Sequence, residues 1–241
     1  ELAKIAPMVD RLTILEDRKE REDNFLNFVK FVWPQFIEGN HHKIYAQKLQ
    51  DVADGKINRL IINMPPRHTK SEFASYLFPA WLMGRDPTKK IIQATHTAEL
   101  AVGFGRKVKN LIDDEQFREV FPDVKLATDV GVGGALAGRG ADLCIIDDPV
   151  SEQDALSPTA LDNIYEWYTS GPRQRLQPGG SLIIVMTRWS IRDLTAKVLQ
   201  KQSEVGADKW EVVEFPAIMP SGKPLWPEFW KLEELEGVKA S

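Results

Sequence analysis

Two short runs combine residue types that could do chemistry together. The first is Leu60-Ile-Ile-Asn-Met-Pro-Pro-Arg-His-Thr-Lys-Ser71, which ends in a lysine followed at once by a hydroxyl residue. The second is Asp142-Leu-Cys-Ile-Ile-Asp-Asp-Pro149, four apolar residues followed by the paired carboxylates Asp147 and Asp148. A Lys-Ser pair suits a polyanion and its metal, because the ammonium is a compact point charge and the hydroxyl is a hard oxygen ligand. Adjacent acids at the end of an apolar strand suit a cation, because an unpaired charge at a core's edge is costly.

The first run has the strand, the sharp turn, the Lys-Ser pair and the following helix of a P-loop. In that arrangement backbone N–H groups at a helix N-terminus surround the β- and γ-phosphates of a nucleotide. On this reading Pro66, Arg67, His68, Thr69, Lys70 and Ser71 form the nucleotide-binding segment. Lys70 acts on the phosphates, and Ser71 coordinates Mg²⁺. The run departs from the G-x-x-x-x-G-K-[ST] pattern, since Met64 stands for the first glycine and Thr69 for the second. Taken alone it also fits a proline-broken strand-to-helix turn. Arg67 is superfluous in such a turn and suits bidentate neutralisation of a triphosphate.

The second run reads as a Walker B strand. Asp147 would hold Mg²⁺ through water, and Asp148 would polarise the attacking water. Glu152, a few residues on, is the alternative base. The non-catalytic alternative is a strand end with helix-capping aspartates. Both runs end at strand C-termini in an alternating chain, where the ligand crevice of such sheets forms. Jointly they point to a P-loop NTPase acting on a nucleoside triphosphate with Mg²⁺.

The elements that must position these residues follow from periodicity and breakers. A charged N-terminal helix is expected over residues 14–30, closed by Trp33-Pro34. Helices are expected at 43–53, 70–83, 97–112 and near 158–170, with strands at 59–64, 90–95, 142–146 and 181–186. The fold class expected is α/β, an ASCE-type P-loop NTPase with a mostly parallel central sheet and helices on both faces. Three regions follow: residues 1–35 as an N-terminal helical segment, 36–214 as the ATPase core, and 215–241 as a proline-rich lid or linker tail.

Composition narrows the classes. The 241 residues are 43% hydrophobic and 27% charged, ordinary for one large globular domain. A formal charge of −4 argues against a protein that coats DNA, so nucleic-acid contact would need a local patch. The single cysteine, Cys144, excludes an intramolecular disulfide and reads as a small core residue. Apolar runs are strand-length, and the N-terminus carries no signal-peptide pattern, which points to a reducing cytoplasm.

A third segment, Gly179-Gly-Ser-Leu-Ile-Ile-Val-Met-Thr-Arg-Trp-Ser-Ile-Arg-Asp-Leu194, is a strand ending in Thr-Arg-Trp and followed by a helix. With MPPRHTKS, GRGADLCIIDDP and the closing Phe-Pro-Ala-Ile-Met-Pro, it resembles the ATPase domain of tailed-bacteriophage large terminase subunits over roughly residues 30 to 235. The resemblance implies an ATP-driven translocase of double-stranded DNA. It would work as a homo-oligomeric ring with the portal protein of a procapsid and with a small terminase subunit. The setting implied is the host cytoplasm, transiently at the portal vertex.

The resemblance also implies roles for single residues. Thr187 belongs to a coupling motif that senses the γ-phosphate, His42 lies where relatives place an adenine-contacting motif, and Arg139 corresponds to a finger reaching a neighbouring subunit's ATP. The bland alternatives are a strand-terminal threonine, surface histidines and a loop arginine paired with an acid. Relatives carry a longer polar stretch where Thr128-Asp129 here runs directly into Gly131. They also carry a C-terminal nuclease, so the expectation is an isolated motor domain, monomeric alone and without DNA cleavage. The rival classes are a helicase-like ATPase and a nucleotide-binding scaffold with a degenerate P-loop.

Overall fold

Five runs rich in isoleucine, leucine and valine build one sheet. They are β1 (Arg59–Asn63), β2 (Ile91–Thr95), β3 (Ala141–Asp147), β4 (Leu176–Met186) and β5 (Glu211–Glu214). The computed structural model describes residues 2–126 and 140–240, the side chains of residues 2–9 excepted. The strand order is β2-β3-β4-β1-β5, and every neighbouring pair is parallel. The helices are α1 (Leu2–Asp23), α2 (Phe25–Val32), α3 (Asn40–Ala53), α4 (Phe78–Arg85), α5 (Ala98–Ile112), α6 (Glu115–Val120), α7 (Glu152–Ala155), α8 (Pro158–Ser170), α9 (Leu194–Lys201) and α10 (Leu232–Ala240). None of the described helices is long and apolar enough to cross a membrane.

Side-chain alternation divides the core into two layers. Leu60 and Ile62 of β1, Leu143 and Ile145 of β3, and Ile183 and Val185 of β4 face a layer that includes Phe25, Phe28, Phe73, Phe78 and Trp81. Ile61, Cys144, Ile146, Leu182, Ile184 and Met186 face the other way, onto α8 and α9 through Leu161, Tyr168, Leu194 and Val198. Apolar residues on both parities are what a parallel sheet covered on both faces requires. Cys144 sits in this second layer, where burial pushes its thiol up to about 12, so it packs as a small apolar group.

The chain leaves adjacent strands in opposite directions. After β1 it enters the first layer through a π-helical segment, Glu72–Leu77, that runs into α4; after β4 it enters the second layer through α9. Divergence of this kind opens a crevice beyond the C-terminal ends of the two strands. Proline explains the π-helical turn. Pro79 has no N–H to give the carbonyl of Ser75, which is satisfied instead by Gln93 Nε2 at 2.6 Å. The Phe78 N–H accordingly reaches back five residues to Phe73 O.

Three expectations change. The N-terminal helix is broken at Asn24, whose side chain takes the Asn27 N–H at 2.9 Å and starts α2 afresh. β5 was not foreseen, because Glu-Val-Val-Glu is too short to show alternation, yet it pairs with β1 and closes one sheet edge. The tail is less loop-like than its prolines suggest, since it ends in α10 and buries Leu225 and Trp226.

Gly84 of α4 is pressed against Phe121, and a Cβ there would lie 2.4 Å from two ring atoms. Gly84→Ala is expected to destabilise the fold by about 1–3 kcal/mol through overpacking in urea denaturation. Helix propensity alone would give about 1 kcal/mol of stabilisation, so a gain would contradict this packing.

Candidate functional site

The site is assembled by strand parity. Asp147 shares the side of β3 that carries Leu143 and Ile145, the side covered by the π-helical segment. Its carboxylate is therefore driven under that segment and is 2% exposed. Ser71 Oγ donates to Oδ1 at 3.0 Å and Ser75 Oγ to Oδ2 at 2.6 Å. Burial still pushes the carboxyl up to about 6; Asp148 adds to the rise, while the serines and Lys70 oppose it.

Asp148 gives its N–H to Val185 O at 2.8 Å, the last bond to β4, and then leaves the strand in a left-handed conformation, φ +42°, at the rim. Its Oδ2 pairs with Lys70 Nζ at 2.8 Å, and its Oδ1 accepts the Thr187 N–H at 2.9 Å. Thr187 Oγ1 lies 3.4 Å from Met64 O at the end of β1. His96 Nδ1 donates to the Asp148 carbonyl at 3.0 Å. One carboxylate thus joins the ends of β1, β3 and β4.

The loop between β1 and its helix is held from below by α3. Tyr45 donates its hydroxyl to Lys70 O at 2.7 Å. Phe73 N–H reaches Thr69 O at 3.1 Å, and the amides of Lys70, Ser71 and Glu72 precede this first helical bond, at the helix N-terminus. Arg67 and Thr69 both have positive φ, +58° and +66°. Thr69 occupies the position where the P-loop pattern has its second glycine, and a β-branched residue there is strained.

A buried aromatic cluster closes the other side. His42 takes the Gly39 N–H on Nδ1 at 2.8 Å, which leaves the proton on Nε2 to be donated to Thr69 Oγ1 at 2.8 Å. The Thr69 hydroxyl then donates to His68 O at 2.6 Å. His68 donates Nδ1–H to Pro66 O at 2.8 Å and stacks on Trp230, while Trp226 packs edge-on against His41 and His42. His41 is 2% exposed, and neither of its ring nitrogens has a hydrogen-bond partner among the described residues.

The structure therefore brings Lys70, Ser71, Asp147, Asp148 and Thr187 together. Pro66 and Arg67 are exposed on the loop crest. His42 sits beneath the loop with both ring nitrogens engaged, which leaves none for an adenine. Glu152 is exposed in the first turn of α7, whereas Asp148 touches Lys70 and Thr187. Arg139, like Thr128 and Asp129, lies outside the described residues. Sequence reasoning missed Ser75, which its spacing of four from Ser71 could have revealed as a same-face hydroxyl. Tyr45 and His96 gave no such signal.

The donors fit a small hard cation. Ser71 and Asp147 offer a hydroxyl and a carboxylate, and among the described residues no group of three or more His, Cys, Asp or Glu side chains could hold a metal. A Mg²⁺ ion here would complete its octahedron with water and ligand oxygens, its usual habit. A separate cleft of about 620 Å³ lies at the other end of the sheet, where the cations of Arg59 and Arg173 are both taken up by Asp208. Compared with protein-family models and with curated protein sequences, the chain matches none.

The buried histidines make the fold acid-sensitive. Burial lowers all three, His41 to about 4 and His42 to about 3, with His68 lowered as well. The unfolded chain binds these protons near pH 6.5, so stability present above that pH is lost as pH falls toward the folded values. Asp147 acts oppositely: its folded carboxyl, raised to about 6, binds a proton before the unfolded one, so its contribution is lost as pH rises. His41 and His42 together outweigh Asp147 and leave a net loss on acidification, each proton worth about 1.4 kcal/mol per pH unit where the states differ fully. His41→Leu should raise stability at pH 7 by about 1 kcal/mol, by removing an unsatisfied buried ring, and should flatten the slope between pH 6 and 5 by about one proton. Denaturant titrations at several pH values measure both, and an unchanged slope would contradict a neutral His41.

Proposed function

We propose that this chain is an ATP-hydrolysing motor domain of a viral DNA-packaging terminase, coupling hydrolysis to translocation of double-stranded DNA into a procapsid. The observation that carries the nucleotide reading is the convergence of Lys70 and Ser71, from the helix start after β1, with Asp147 and Asp148, from the end of β3, within hydrogen-bond distance. A loop of helix-terminal amides, an ammonium and a hydroxyl-carboxylate pair is the combination a Mg-nucleotide requires. The order of the sequence motifs, with Thr187-Arg188-Trp189 after β4, supports the terminase reading over a helicase-like one.

In this role Lys70 binds the β- and γ-phosphates. Ser71 and Asp147 would hold a Mg²⁺ ion, whose charge would offset that of the phosphates. Asp148 orients the attacking water, and Thr187, bonded to the same carboxylate through its N–H, passes the change at Asp148 to the end of β4. Double-stranded DNA, a portal protein, a small terminase subunit and further copies in a ring are the partners of this reading. Arg139 acts on a neighbouring subunit's nucleotide. Its chain neighbour Gly140 precedes the seven-residue strand that ends at Asp147, which spans about 23 Å at 3.3 Å per residue.

Lys70→Ala and Asp147→Ala are each expected to abolish phosphate release from Mg-ATP in a folded protein; wild-type turnover in either would show the site to be elsewhere. Asp148→Asn should bind Mg-ATP with an affinity near wild type and lower turnover by about 10²–10⁴-fold, the scale of general-base catalysis. Loss in Glu152→Gln with a normal Asp148→Asn would transfer the role to Glu152. Stimulation of the full-length subunit's ATPase by procapsids supports a packaging motor, and stimulation by single strands alone supports a helicase.

A further inference from the structure

We infer that His42 is a positioning residue that lets Thr69 serve in a glycine's place, holding the phosphate loop in its left-handed turn. The inference rests on the nucleotide reading above for its purpose, but its geometry stands apart from that reading. Thr69 has φ +66°, a conformation that a β-branched side chain disfavours. Such strain persists only where the surroundings over-determine it. Here the surroundings are a directed chain of three hydrogen bonds. The Gly39 N–H fixes the His42 tautomer, His42 Nε2–H holds Thr69 Oγ1, and the Thr69 hydroxyl closes on the carbonyl of His68.

Everything about His42 favours this use. Its ring is fully buried, stacked on Phe73 at 5.3 Å and edge-on to Trp226 at 4.9 Å, so it cannot swing away from Thr69. Its burial also keeps it neutral, and a neutral ring is what the arrangement needs, because a protonated Nδ1 could not accept from Gly39. The hydroxyl that a glycine would lack is the handle by which the scaffold grips the loop.

The test is a set of substitutions read by Mg-ATP affinity and by thermal melting without nucleotide. His42→Leu keeps the apolar packing and removes the donor, so the loop samples other conformers and affinity falls in proportion to the competent fraction. About tenfold weaker binding is expected, equivalent to about 1.4 kcal/mol. His42→Gln, which can place an N–H near Nε2, should recover most of the loss. In a Thr69→Gly background, His42→Leu should cost little, because glycine takes the turn unaided. Thr69→Ala loses the same hydroxyl yet keeps the Cβ, so it should bind as weakly as His42→Leu and melt below Thr69→Gly. A double variant as weak as His42→Leu alone, or Thr69→Ala melting above Thr69→Gly, overturns the inference. If the wild type binds no Mg-ATP, the nucleotide reading falls, and the melting order of Thr69→Gly and Thr69→Ala still decides the role of the strained turn.

Discussion

A carboxylate buried at the end of a strand sets the terms for everything around it. Taking Asp147 out of water carries a penalty of several kcal/mol after relaxation, and hydrogen bonds to a charged group return about 1.5–3 kcal/mol each. Two serine hydroxyls therefore offset much of the penalty without cancelling it, which agrees with a carboxyl still raised to about 6. The remaining penalty is what a cation at this point could offset. The π-helical turn belongs to the same account. It brings Ser71 and Ser75 over one carboxylate, and its orphaned Ser75 carbonyl accepts from Gln93 Nε2 of β2, two strands away from β4 across β3.

The loop above the carboxylate is braced from two regions distant in sequence. α3 supplies Tyr45 and His42, which bond to Lys70 O and Thr69 Oγ1. The tail supplies Trp226 and Trp230, which pack on His41, His42 and His68. Residues before the first strand and after the last one thus meet beneath a single turn. A displacement of the tail would reach the loop through the His68–Trp230 stack, and a displacement of α3 would reach it through two hydrogen bonds. Bracing of this density explains how Thr69, a non-glycine residue, remains in a left-handed conformation.

Much of this site was legible in the sequence, and the parts that were not share a cause. The Lys70-Ser71 pair opens the helix after β1 and the Asp147-Asp148 pair closes β3, as composition and breakers indicated, because proline and paired acids mark boundaries by purely local physics. β5 and the tail's role are different. Glu211–Glu214 is a strand because β1 offers it an edge, and Trp226 is buried against three histidines and Phe229. Such residues carry no periodicity of their own. His42 is the sharpest instance: its position suggested a ligand contact, yet its two nitrogens are spent on Gly39 and Thr69, a use that depends on a φ angle no sequence displays.

The ion pair between Lys70 and Asp148 links the two ends of the proposed chemistry. With side chains 8% and 30% exposed, it is partly desolvated, so breaking it without a substitute would leave a costly ammonium behind. A phosphate at the loop is such a substitute, since it brings negative charge to Lys70 through the amide-lined end of the helix. The exchange would free Asp148 Oδ2 to bind water while Oδ1 stays on the Thr187 N–H. On the proposed reading, nucleotide arrival and the readiness of Asp148 as base would be one event, driven by competition for Lys70. Thr187 also approaches Met64 O across the crevice, so in the proposed exchange the ends of β3, β4 and β1 would be linked to the anion that Lys70 holds.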